Sequence, residues 1–146
     1  MSQQRRERRQ QREGTEKTAG ERNWKLIAII AVIVAIAAGA GGFYYYRDQH
    51  KYDAFARCLS DRGLKMYGAF WCPHCKEQKA LFRASFKYAP YVECGIEGKA
   101  SGGQTQVCKD AGIKHYPTWQ FPPTGAREER VFELWELSDR TGCPLP

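Results

Sequence analysis

The length and charge of the chain limit what it can be. Its 146 residues suffice for one ordinary domain with short appendages, and a hydrophobic content of 42% is enough for a compact core. Much of the net charge of +7 lies near the N-terminus, where residues 1–25 hold eight basic and four acidic side chains. The glutamates interleaved with these basic residues argue against nucleic-acid binding.

The first predicted elements are a polar tail and an apolar helix. Residues 1–25 have few apolar side chains to offset the entropy of ordering, so we expect a disordered or marginally helical tail. Residues 26–46 carry no charged side chain, and about 20 helical residues span the ~30 Å hydrocarbon core of a bilayer. Trp24 precedes this run and Tyr44–Tyr46 end it, at positions typical of interfacial aromatic residues. The sequence therefore predicts a transmembrane helix.

The charges on either side of this helix predict its orientation. The preceding flank is rich in arginine, whereas the flank that begins at Arg47 is nearly balanced. The positive-inside rule puts the N-terminus in the cytoplasm and residues 47–146 outside it, as in a single-pass protein of the cell membrane. A cleavable signal peptide is the alternative, because Ala38-Gly39-Ala40 fits a cleavage site. The long basic region and long apolar run favour an uncleaved signal anchor.

Residues 47–146 alternate between patterns of helices and strands. Helices are predicted over residues 52–61, 73–89, 104–111 and 134–140. Strands are predicted over residues 64–71, 91–94, 118–121 and 130–132. The last two strands flank the turn Pro122-Pro123-Thr124-Gly125. This order predicts an α/β fold with a central mixed sheet flanked by helices.

Every cysteine of the chain lies in this second part. An even number of cysteines in an exported domain is typical of an oxidising compartment, although their number does not give the pairing. The six are Cys58, Cys72, Cys75, Cys94, Cys108 and Cys143.

The motif Cys72-Pro73-His74-Cys75 lies where a predicted strand is followed by a predicted helix. A helix N-terminus favours the thiolate, and His74 adds a positive charge or a donor, so both are expected to lower the pKa of Cys72. Cys75, one turn further on, can resolve a mixed disulfide at Cys72. Since a stabilised thiolate makes the disulfide a better oxidant, we expect substrates to be oxidised.

Other roles of a CxxC pair fit less well. Haem attachment needs histidine after the second cysteine, where this chain has Lys76. A zinc site needs a second ligand pair at similar spacing, which Cys94, Cys108 and His115 do not offer. A structural disulfide within CxxC constrains very little chain. Redox activity is the favoured interpretation, and no nucleotide-binding glycine motif indicates a cofactor.

Separated motifs occur in a recognisable order along the exported part. They are MYGAFWCPHCKEQK at 66–79, YVECG at 91–95, VC at 107–108 and GIKHYPTW at 112–119. Together they resemble the thioredoxin-like domain fused to, or acting beside, bacterial and plant homologues of vitamin K epoxide reductase. The redox tetrapeptide is the type found in DsbA-like oxidants. The resemblance covers about residues 55–143 and implies a thioredoxin-like fold preceded by one transmembrane helix.

The resemblance also implies roles for individual residues. Cys72 matches the exposed attacking cysteine, and Cys75 matches the buried resolving one. Pro117 matches the cis-proline that lies against the redox pair and presents backbone to a substrate. Cys94 and Cys108 match a second, structural cysteine pair.

Three positions depart from the family pattern or lie outside it. Thioredoxins typically carry a buried aspartate six residues before the first redox cysteine, where this chain has Met66. Solvent or Glu77 would then accept the proton. A disulfide between Cys58 and Cys143 is the simplest assignment for the remaining cysteines, with free or intermolecular thiols as the alternative.

Three functions remain open from the sequence. The first is oxidation of thiols in exported proteins, with reoxidation by a quinone-linked membrane partner of the vitamin K epoxide reductase or DsbB type. The second is reduction or isomerisation of disulfides, with electrons from a membrane donor. The sequence does not separate it from the first, because a difference in reduction potential of about 30 mV, or about 1.4 kcal/mol, is too small to read from a sequence. The third is a membrane-tethered, disulfide-stabilised binding domain without turnover, against which the CxxC motif and Pro117 argue.

Overall fold

The computed structural model describes the backbone of residues 2–98 and 103–146, and the side chains of residues 3–8, 23–98 and 103–146. The chain divides into two compact units, Met1–Tyr45 and Tyr46–Pro146.

A long helix, α1, runs over Ser2–Gln49. We expected a disordered or marginally helical tail over residues 1–25, and its backbone is helical from Ser2 onward. Arginine, glutamine and glutamate dominate this tail and are strong helix formers, which favours the helix. In the described part of the chain, one helical stretch, near the N-terminus, is long and apolar enough to span a membrane. Its large apolar side chains are exposed, which suits contact with lipid.

The second unit is built on a four-stranded sheet with the strand order β2-β1-β3-β4. The strands are β1 (Lys65–Gly68), β2 (Tyr91–Glu93), β3 (Thr118–Phe121) and β4 (Ala126–Glu128). Strands β1 and β2 are parallel, whereas β1 with β3 and β3 with β4 are antiparallel. The prediction of a central mixed sheet is confirmed.

Four further α-helices belong to the described part of this unit, and three of them are shorter than predicted, above all the second. They are α2 (Asp53–Asp61), α3 (Pro73–Phe82), α4 (Gln106–Asp110) and α5 (Leu134–Thr141). The predicted helix over residues 73–89 is divided, because Arg83 adopts a φ of 55° and the chain continues as a 3₁₀ helix over Arg83–Tyr88. No glycine or proline marks this break in the sequence.

The final strand also differs from the prediction. We predicted residues 130–132, but β4 is Ala126–Glu128, because Phe121 pairs directly with Ala126 across the tight turn that begins at Pro122. Phe132 is instead fully buried in the core ahead of α5. Its apolar character reflects core packing and not a strand.

Buried side chains cover both faces of the sheet. Met66 and Tyr67 are consecutive in β1 and therefore point to opposite faces. The larger cluster lies on the Met66 side and includes Phe55, Leu59, Phe82, Trp119 and Leu137. The smaller cluster contains Tyr67 with Cys94, Cys108 and Ile113.

Candidate active site

The two cysteines of the CxxC motif lie where β1 is followed by α3. Cys72 is the N-cap residue of α3 and has an extended backbone, while Pro73 starts the helix, where its fixed φ is compatible with helical geometry. Both cysteines are free thiols. Cys75 is fully buried, and Cys72 is only 6% exposed. The resemblance implied an exposed Cys72, and the structure differs because this side chain packs into the core cluster beside the loop before Pro117.

The loop before β3 approaches the first cysteine. The Tyr116–Pro117 peptide bond is cis. The thiol of Cys72 donates to the carbonyl oxygen of Tyr116 at 3.6 Å. The ring of Trp71 meets the ring of Tyr116 edge-on, with 5.9 Å between centroids. The structure therefore brings the Tyr116–Pro117 segment, distant in sequence, against the reactive sulfur.

Burial controls the chemistry of Cys75. Burial is the largest cause that raises the pKa of this thiol from 9.0 to about 12. A hydrogen bond with the backbone of Ala69 lowers the pKa in part, whereas Cys72 raises it further. Lys79 has a smaller, lowering effect. Cys75 is therefore protonated at neutral pH, and it has to lose that proton before its sulfur attacks a disulfide.

His74 lies at the surface of α3. Its Nδ1 is 3.4 Å from a carboxylate oxygen of Glu77, and the two side chains are 72% and 62% exposed. Exposed pairs of this kind contribute little to stability. The contact seen for His74 is with the surface carboxylate of Glu77 and not with Cys72. The influence of His74 on the Cys72 thiolate therefore stays a prediction.

Tyr91 of β2 lies near Cys75 and is bonded to Glu93 of the same strand, although the sequence assigns neither residue a role. A Cβ atom on Gly68 would lie 2.9 Å from the ring of Tyr91 and 3.0 Å from Sγ of Cys75, so ring and sulfur both border the space above this glycine. The Tyr91 hydroxyl donates to Glu93 at 2.7 Å. The signal in the sequence is a tyrosine and a glutamate at alternate positions of a strand. Only the strand register connects it to the redox motif.

Gln78, on α3, is another residue that the sequence does not reveal. It is fully buried. Its carboxamide oxygen accepts from the backbone N–H of Phe132 at 2.7 Å and from the indole of Trp119 at 3.2 Å. Its NH₂ group donates to the carbonyl oxygen of Phe132 at 2.9 Å. These bonds attach the helix that carries both redox cysteines to β3 and to the chain before α5.

The other four cysteines form two disulfides. Cys58 is bonded to Cys143, which ties α2 to the chain after α5. Cys94 is bonded to Cys108, which ties the end of β2 to α4. These are the pairs named from the sequence, and they leave Cys72 and Cys75 as the free dithiol.

Comparison with known proteins connects this geometry to a class of domain. No family model matches the chain. The chain is 44% identical over 94 residues to the thiol-disulfide oxidoreductase LTO1 of Arabidopsis thaliana, an alignment that covers 63% of this chain and 24% of that protein. The domain has a thioredoxin-like fold.

A second similarity points to the same chemistry. The chain is 32% identical over 81 residues to protein disulfide-isomerase A5 of Mus musculus, an alignment that covers 53% of this chain and 15% of that protein. The chain thus spans about a quarter or less of the length of these curated relatives. Both similar proteins carry names that describe thiol–disulfide chemistry, and the free dithiol of the thioredoxin-like domain is suited to it.

Proposed function

We propose that the protein is a membrane-anchored thiol–disulfide oxidoreductase that acts through Cys72 and Cys75. The observation that carries the proposal is the position of the Cys72 thiol, at the N-cap of α3 and 3.6 Å from the carbonyl oxygen of Tyr116. Cys75, buried behind it, suits the resolving role. The names of both similar proteins support this chemistry.

The reaction transfers a disulfide to a substrate. A substrate thiolate attacks Sγ of Cys72 in the Cys72–Cys75 disulfide, and Cys75 leaves as a thiolate that takes up a proton. A second substrate thiolate then attacks the substrate sulfur of the mixed disulfide, and Cys72 leaves as a thiolate. The substrate gains a disulfide and loses two electrons, which remain on Cys72 and Cys75.

The proposed site of action is the extracytoplasmic side of the cell membrane. The apolar part of α1 serves as the signal anchor, residues 1–25 are cytoplasmic, and residues 47–146 act outside on thiols of exported proteins. The dense positive charge before the span and the two disulfides after it support this arrangement.

The reduced dithiol needs an electron acceptor before the next turnover. We propose a quinone-linked membrane partner of the vitamin K epoxide reductase or DsbB type, which reoxidises Cys72 and Cys75 to a disulfide. The motif order that resembles domains acting beside such enzymes supports this partner.

A second candidate function is isomerisation or reduction of disulfides by the same dithiol. It is favoured by similarity to a protein named disulfide-isomerase A5. In that case a membrane donor supplies electrons and keeps Cys72 and Cys75 reduced. A binding domain without turnover is the third, and it has no use for a free dithiol at a helix N-terminus.

The reduction potential of the Cys72/Cys75 pair separates these functions. The whole chain in detergent is equilibrated with glutathione buffers, and the oxidised fraction is measured by thiol alkylation and mass spectrometry. A reduction potential of about −120 mV supports disulfide donation. A potential of about −180 mV supports isomerisation, and one of about −270 mV supports reduction. A pair that does not exchange with glutathione contradicts all catalytic functions. Cys72→Ser is the control.

A further inference from the structure

Resolution of a mixed disulfide at Cys72 requires a proton acceptor for Cys75. The thiol of Cys75 is fully buried, and it attacks only after deprotonation. At the position of the usual buried aspartate the chain has Met66, which is itself fully buried. The acceptor has to come from another residue.

The strand next to β1 supplies polar side chains at this place. In the parallel pairing of β1 with β2, Met66 is opposite Tyr91 and Gly68 is opposite Glu93. Residues two apart in a strand point to the same face, so Tyr91 and Glu93 share one side of β2. The missing side chain at Gly68 leaves a space that the Tyr91 ring and the Cys75 sulfur both border. The Tyr91 hydroxyl is 3.4 Å from the same Cβ position.

Glu93 is held in place at the outer end of this arrangement. One carboxylate oxygen accepts from the Tyr91 hydroxyl at 2.7 Å. The other accepts from the backbone N–H groups of Gly95 at 2.7 Å and Phe70 at 3.1 Å. Glu93 is exposed, so a proton that reaches it can pass to water.

Burial and the hydrogen bond to Glu93 keep the Tyr91 hydroxyl protonated. Burial, followed by the hydrogen bond to Glu93, raises the pKa of Tyr91 above its ordinary value. The Lys79 ammonium lies 3.8 Å from the centre of its ring. The titratable groups that face Cys75 and Tyr91 are Cys72 and Lys79 of α3, Glu93 of β2 and Tyr116 of the loop before β3.

We infer that Tyr91 and Glu93 form the proton path of Cys75, an inference that rests on the proposed redox function. As Sγ of Cys75 bonds to Sγ of Cys72, the substrate sulfur leaves as a thiolate with the electron pair of the broken bond. The Cys75 proton passes to the Tyr91 oxygen while the Tyr91 proton passes to Glu93. Glu93 then releases a proton to water, so atoms and charge balance.

The test follows one turnover of the reduced chain in detergent with oxidised glutathione. Acid quenching and mass spectrometry separate formation of the Cys72–glutathione adduct from its resolution by Cys75. Glu93→Gln and Tyr91→Phe are each expected to slow resolution about tenfold at pH 7, less than the ~10²–10⁴-fold of a full general base because solvent substitutes in part. The resolution rate of Glu93→Gln should continue to rise with pH above the range in which the unmodified chain levels. Adduct formation should not change.

Two further variants make the result specific. Glu97→Gln removes one negative charge just after β2 and should resolve like the unmodified chain. Glu77→Gln removes the carboxylate that the sequence offered as an acceptor. The inference is overturned if both Glu93→Gln and Tyr91→Phe resolve within twofold of the unmodified chain, or if Glu77→Gln alone slows resolution. An unmodified chain that forms no adduct contradicts the proposed function instead.

Discussion

The thiol of Cys72 donates a hydrogen bond to the carbonyl oxygen of Tyr116 over 3.6 Å, which joins the start of α3 to the loop before β3. In the proposed reaction, a substrate sulfur bonded to Cys72 would therefore lie beside backbone that an extended peptide can pair with. Cys75 is buried behind Cys72 and reaches the same sulfur from inside the domain. Attack and resolution thus come from two sides, which two single substitutions can separate.

Cys75→Ala cannot form the Cys72–Cys75 disulfide, but its Cys72 thiolate can still attack disulfides of exported proteins. The resulting mixed disulfides are expected to accumulate, because the thiol that resolves them is missing. Cys72→Ala is expected to form none. The measurement is non-reducing electrophoresis of the tagged chain after acid quenching of cells, followed by mass spectrometry of the adducts. Absence of adducts in Cys75→Ala would contradict the catalytic function. The double variant Cys72→Ala/Cys75→Ala is the background control.

The alkylation of Cys75 should depend on pH in one direction. Burial, the largest cause of the raised pKa of Cys75, persists in Cys72→Ser, so the thiolate fraction of this variant should rise about tenfold per pH unit without levelling up to pH 10. Iodoacetamide labelling in the folded chain, followed by mass spectrometry from pH 7 to 10, measures this slope. A plateau near pH 9 would show that burial does not control this thiol.

The same shift affects folding stability. The folded thiol binds its proton more tightly than the unfolded thiol, whose pKa is near 9.0. Its contribution is therefore complete below pH 9 and is lost as pH rises from 9 toward 12. Urea unfolding of Cys72→Ser should show a lower unfolding free energy at pH 10 than at pH 8, and Cys72→Ser with Cys75→Ala should show a smaller fall.

The sequence predicts those parts of the fold that depend on local spacing. The CxxC motif at a strand-to-helix junction and the turn that begins at Pro122 are short patterns with strong local preferences. The break at Arg83 is not local, since nothing in the neighbouring sequence favours a positive φ there. Phe132 belongs to an apolar segment that resembles a strand, although it is buried by contacts with distant residues.

The inferred proton path also depends on contacts between distant residues, so the sequence does not predict it. Tyr91 and Glu93 become relevant to Cys75 only through the pairing of β2 with β1, in which Gly68 is opposite Glu93. Alternating residues in a strand indicate a shared face but not the neighbour on that face. The catalytic roles of Cys72, Cys75, His74 and Pro117 remain predictions, and the contacts seen in the structure indicate how to test them.

Gln78→Leu is expected to lower the unfolding free energy by about 2–4 kcal/mol. The substitution leaves the backbone groups of Phe132 and the indole N–H of Trp119 without their buried partner. Urea unfolding monitored by tryptophan fluorescence in detergent measures the loss. Gln106→Leu is the matched control, because Gln106 is exposed and pairs with Asp110 within α4, and it should change stability by less than about 0.5 kcal/mol. Equal effects would mean that Gln78 does not hold α3 in place.

The two disulfides should differ in their contribution to stability because they close loops of different length. Cys58–Cys143 spans 85 positions and Cys94–Cys108 spans 14. Loop-closure entropy gives about 4.5 kcal/mol for the first and about 3 kcal/mol for the second. Double serine variants of each pair, unfolded in urea, should therefore differ by about 1.5 kcal/mol. If removal of the short loop costs more, the Cys94–Cys108 bond stabilises the native state by contacts at β2 and α4 that chain entropy does not describe.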